Sequence, residues 1–85
     1  MGSSWESVLG SGAVSGNFSA REASVLHGRQ VEIVREFNGL KPGLRGQVSE
    51  GRRMPQGWIL HIGWDNGIRD NVTKRECLDH LRVLN

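Results

Sequence analysis

The chain has 85 residues and a formal charge of +2, with 11 Lys/Arg against 9 Asp/Glu; it is long enough for one small domain and mildly basic, compatible with nucleic acid without demanding it. One cysteine excludes an intrachain disulfide, and Cys77, His27, His61 and His80 are too scattered for zinc-ligand spacing, so neither metal nor other cofactor is expected. No apolar run approaches the ~20 residues of a membrane span, and the N-terminus lacks the charged and apolar regions of a signal peptide, so a cytoplasmic protein with no membrane contact is expected.

Residues 1–28 are rich in Gly and Ser and poor in branched apolar residues. That composition predicts a flexible segment, because little burial is available to offset its ordering entropy. The opening M-G-S-S reads like an added leader and is set aside. One part is better specified: Ser19 and Glu22 form a capping box, Phe18 is placed to staple against Ala23, and Gly28 can end the turn. A short helix over about residues 20–27 is expected. From Arg29 the pattern changes to alternation, with Val31 and Ile33 on one face. Leu40-Lys41-Pro42-Gly43 reads as a turn, residues 44–51 as a strand and 52–57 as a polar loop. Residues 58–64 form the strongest strand, with Trp58, Leu60, Ile62 and Trp64 on one face and Ile59, His61 and Gly63 on the other. Asn66-Gly67 predicts a type I′ hairpin turn, and residues 68–72 the return strand. Thr73 and Glu76 make a second capping box and predict a single helical turn before a last strand over 80–84.

These elements predict a mainly β domain over residues 29–85: a five-stranded SH3-like barrel with a one-turn helix before the last strand. Closure would leave no exposed edge. Gly46 and Gly63 fall mid-strand, where a sharp bend or close backbone approach is expected. The expected core is Val31, Ile33, Leu40, Leu44, Val48, Leu60, Ile62, Trp64, Val72, Leu78, Leu81 and Val83.

The string L-K-P-G-L-R-G-Q-V (40–48), followed by I-x-W-D-N-G (62–67) and L-x-V-L (81–84), resembles short bacterial and phage SH3-like domains of unknown function. It also resembles the Mind bomb-type barrel of ubiquitin ligases. Hosts of this barrel bind peptides, proteins or nucleic acid, so the resemblance implies a binding role. The plasmid-borne, trimethoprim-insensitive dihydrofolate reductases share a tail followed by one such barrel and work as tetramers around a pore. Their pore motif V-Q-I-Y corresponds here to Ile68-Arg69-Asp70-Asn71, and the chain has no tyrosine, so none of their active residues transfers.

Catalysis finds little support in the residues. A general base needs a partner within hydrogen-bond reach, and the sequence specifies none for His61. Cys77 and His80 have the i, i+3 spacing of an activated thiolate, but the segment is too short to guarantee that geometry, and a partly buried cysteine packing like a small apolar residue is expected. No phosphate-cradling loop is present. The expected function is a non-catalytic interaction module that binds a protein or a second copy through Met54, Trp58, Ile59 and His61. The alternative is a nucleic-acid-binding accessory protein using Lys41, Arg45, Arg52, Arg53 and Arg69, and the third reading is a pore-type oligomeric reductase.

Overall fold

The computed structural model describes residues 17–84. Expectations that fall on residues 1–16, including the flexible stretch there, lie outside the described residues. The elements in chain order are α1 (Ala20–Leu26), β1 (Gln30–Ile33), β2 (Arg45–Met54), β3 (Gly57–Trp64), β4 (Arg69–Val72), α2 (Lys74–His80) and β5 (Leu81–Val83). Both helices begin at the expected capping boxes. The Ser19 and Thr73 side chains each accept from the backbone N–H three residues on, and the Glu22 and Glu76 carboxylates each accept from the cap's own N–H. Each box satisfies two of the donors that a helix start leaves orphaned.

The five strands form one antiparallel sheet in the order β4-β3-β2-β1-β5. The expected closure is not present: no ladder joins β4 to β5, and the chain crosses between these edges through α2 instead. With four and three residues, the edge strands are short, which limits the unpaired backbone they present. Alternate residues from all five strands enter one apolar cluster with Phe18, Ala23, Leu26, Phe37 and Cys77. Ten of the twelve expected core residues are buried there, while Leu44 and Leu78 pack half-buried against it. The Trp64 indole is inside, and its N–H donates to Asp70 Oδ2 at 2.8 Å, which satisfies the buried donor.

Residues 17–28 belong to this body rather than trailing from it. Phe18 is fully buried, and its backbone exchanges hydrogen bonds with Trp58 in both directions at 3.1 and 2.8 Å. Ala23 and Leu26 point the same way from α1. The helix approaches the sheet over Gly51, where an added Cβ would stand 2.9 Å from the Ala23 methyl.

Three local expectations are corrected, the first being the single helical turn after Thr73, which is a seven-residue helix of about two turns. The polar loop over 52–57 is the end of a long hairpin, with Met54 opposite Gly57 and only Pro55 and Gln56 between the strands. The turn after Trp64 is not type I′, because of its residues only Gly67 has a positive φ, +92°. Gly67 N–H donates to Trp64 O, Trp64 N–H donates to Ile68 O, and Asn66 Oδ1 accepts from Ile68 N–H. This is a three-residue loop with glycine in the left-handed position. The type I′ geometry occurs at the other Asn-Gly pair: Asn38 (φ +50°) and Gly39 (φ +80°) join Phe37 to Leu40, which exchange both backbone hydrogen bonds. Phe37, at the base of that turn, is buried in the core cluster.

β2 carries a bulge that period-2 reading misses. Val48 opposes Ile62, but Glu50 opposes His61, leaving Ser49 as the extra residue. Strict alternation from Val48 would aim Glu50 and Arg52 at the core. The bulge shifts the phase so that Gly51, opposite Leu60, faces inward and Glu50 and Arg52 face out. Ser49 Oγ–H donates to His61 O at 3.0 Å and pins the irregularity.

The two expected mid-strand glycines differ. A Cβ on Gly46 would stand 2.6 Å from Trp64 Cε3 and 2.8 Å from Gly63 O. Gly46→Ala is expected to destabilise by about 1–3 kcal/mol through overpacking, read as a lower urea midpoint at unchanged slope. Gly63 has no such neighbour; nothing lies within 4 Å of its added Cβ, and its φ is not positive.

Candidate functional site

The outer face of β2–β3–β4 is built by register. Gln47, Gly63 and Arg69 align across the three strands, and Glu50, His61 and Asn71 form the next row. Arg52 and Ile59 make a third row, and Arg45 lies beyond Gln47 opposite Glu32 of β1. Because rows on one face are about 7 Å apart and strands about 4.8 Å apart, these residues form a continuous surface, polar except at Gly63 and Ile59. His61 Nδ1–H donates to Asn71 Oδ1 at 2.8 Å, which fixes the ring and leaves Nε2 toward the surroundings.

Two shallow hollows flank His61. One, of about 380 Å³, is lined by Gln47, Ser49, Glu50, His61, Gly63 and Arg69. The other, of about 280 Å³, is lined by Glu50, Gly51, Arg52, His61 and Asn71.

Charge on this face is uneven. Glu32 is held by Arg82 at 2.7 Å, and that hydrogen bond, opposed by partial desolvation and aided by the charges of Arg82 and Arg45, keeps its carboxyl below the usual range. Asp70, in register with the core residue Ile62, lies on the other side of the sheet, where it accepts from the Trp64 indole. Glu50 is therefore the acid left on the three-strand face, against Arg45, Arg52 and Arg69, all exposed.

The residues expected from sequence separate into groups. Of the basic set, Arg45, Arg52 and Arg69 share the outer face, whereas Arg53, opposite Trp58, takes the alternate side of the hairpin and Lys41 lies in the connection between β1 and β2. Of the interaction set, alternation brings Met54, Ile59 and His61 outward but turns Trp58 toward α1, where it packs half-buried against the core. The large apolar residues most exposed are Val25, Val34, Met54 and Ile68, and of the interaction set only Met54 is among them. Gln47 and Asn71 were not singled out by sequence; their period-2 phase with Arg45 and Arg69 was the available signal.

Cys77 is fully buried; desolvation first, then the charge of Glu76, pushes its thiol upward. His80 instead places its ring 5.3 Å from Phe37, with Nδ1 3.4 Å from Arg35 O. A thiol held protonated in the core is not a nucleophile. The native chain is expected to resist iodoacetamide and to be alkylated only once denatured. The sign of the pH effect follows: the thiol's contribution is complete below its unfolded value of about 8.5 and declines as pH rises above it, because only the unfolded chain ionises readily there. Comparing urea midpoints of the native sequence and Cys77→Ala across that range measures it.

Among the described residues no group of three or more His, Cys, Asp or Glu is placed to hold a metal ion, and no helix is long and apolar enough to cross a membrane. Comparison with protein-family models, curated proteins and solved structures gives no match.

Proposed function

We propose that this protein is a non-catalytic binding module on an SH3-like scaffold, opened between β4 and β5, and that its outer sheet face binds single-stranded nucleic acid. The strand order and the short helix before the last strand support the scaffold. One observation carries the ligand class: Arg45, Arg52 and Arg69 share a face with Gln47 and Asn71, whose amides keep hydrogen-bonding groups beyond their contacts with Gly28 O and His61, while the neighbouring Glu32 is paired with Arg82. Guanidinium groups grip phosphates, and amides hydrogen-bond to bases and sugars. The field is modest, so affinity is expected to be weak and salt-sensitive.

Fluorescence anisotropy with a labelled oligonucleotide tests this. Binding at low salt should weaken linearly in log–log form, with a slope near −2 if the three arginines each neutralise one phosphate, since single strands give about −0.7 per contact. No binding to any strand at low salt removes the reading. A protein partner or second copy is the second reading, favoured by Met54 and Ile59 sharing the face with His61. Self-association would appear in sedimentation as a mass above the monomer.

A further inference from the structure

Mid-strand glycine weakens a strand, because it adds backbone entropy to the unfolded chain and offers no side chain to pack. Gly46 and Gly51 are each explained by what a Cβ would strike: Trp64 and the Gly63 carbonyl in one case, Ala23 and Trp58 in the other. Gly63 has no packing reason and no conformational one. Its remaining consequence is on the outer face. It leaves a gap between Gln47 and Arg69, its neighbours in register, whose Cα atoms are roughly 10 Å apart across two strand spacings. That gap is the floor of the larger hollow.

Resting on the nucleic-acid reading above, we infer that the hollow over Gly63 receives one base of the bound strand, and that the base carries an exocyclic amino group. A flat ring can lie against the bare peptide of Gly63, where any larger residue would stand in its way. Glu50 decides which part of the strand enters. Its carboxylate lines the hollow and repels a phosphate, so phosphates go to the arginines and the base goes inward. The same carboxylate accepts from an amino group, as acidic residues do from cytosine N4. The Gln47 amide nitrogen already donates to Gly28 O at 3.1 Å, which holds the side chain and leaves its carbonyl oxygen to accept, and Arg69 supplies a planar cation beside the ring.

The experiment compares labelled deoxycytidine and thymidine homopolymers of about ten nucleotides, at fixed low salt, against the native sequence and Gly63→Val. The native chain should bind the cytidine strand more tightly. Gly63→Val should lower that affinity at least about fivefold, the loss of one base contact, and bring the two strands to similar values. Its melting temperature should hold or rise, because a β-branched side chain suits a strand and the Cβ meets nothing within 4 Å. Should Gly63→Val fail to fold, Gly63→Ser is the smaller probe of the same gap and is expected to act in the same direction. Salt-dependent binding unchanged by either substitution, or equal for both strands in the native chain, overturns the inference and leaves the broader reading standing. A native chain that binds neither strand overturns both.

Discussion

Glu22→Gln is expected to destabilise the fold by about 3–5 kcal/mol, while Lys74→Met leaves it near neutral or stabilises it. Lys74 opens α2, yet it is only 3% exposed, and its ammonium lies 3.4 Å from both oxygens of Glu22 on α1. The two residues are 52 positions apart, so the pair exists only when α1 is docked. Removing the carboxylate charge strands a buried cation, and desolvation of the remaining ion then goes uncompensated. Replacing the lysine by an apolar side chain of similar length removes the buried cation and leaves the Glu22 carboxylate, which is 16% exposed and still accepts from the Ser19 N–H. Glutamine is the informative substitution because its amide oxygen can still accept from the Ser19 N–H, so the capping box survives and the ion pair alone is tested. Chemical denaturation of the two single variants and the double variant gives the coupling. The double variant should recover most of the loss. Equal stability of Glu22→Gln and the native chain would mean that the ammonium reaches water by another route.

The second large effect is expected at Phe18. Its ring is fully buried, so Phe18→Ala should cost about 3–5 kcal/mol, from lost transfer energy and the cavity left behind. A domain this size holds only about 5–15 kcal/mol in total, and each kcal/mol is worth roughly 4–8 °C in melting temperature. The loss should therefore exceed 10 °C. The variant also separates two views of residues 17–28. If that segment were an appendage, truncating Phe18 would leave thermal unfolding of the sheet unchanged. The backbone exchange between Phe18 and Trp58 and the close approach of Ala23 to Gly51 predict the opposite, a single cooperative transition at lower temperature.

Features written in a few neighbouring residues were legible before any coordinates. The S-x-x-E and T-x-x-E boxes are interactions across three positions, and both helices start where these residues stand. Burial of alternate residues in β1, β3 and β5 follows from the pleat. The His61 face was legible for the same reason. Two Asn-Gly pairs were present, but choosing which adopts type I′ required knowing which loop has two residues between paired positions and which has three. The Ser49 bulge left no local mark, and it decides whether Arg52 faces the core or the outer side of the sheet.

Strand alternation, both helix starts and the burial of Trp64 follow from the residues alone, because each depends on chemistry within a few residues or on a strong apolar pattern. Only the tertiary structure decided that α1 is part of the core, that Lys74 is buried against Glu22, that the sheet stays open between β4 and β5, and that three of the five candidate basic residues share a face. Those outcomes depend on which distant surfaces meet and in what register. A one-residue shift in pairing exchanges inside for outside, and no property of a single strand records it.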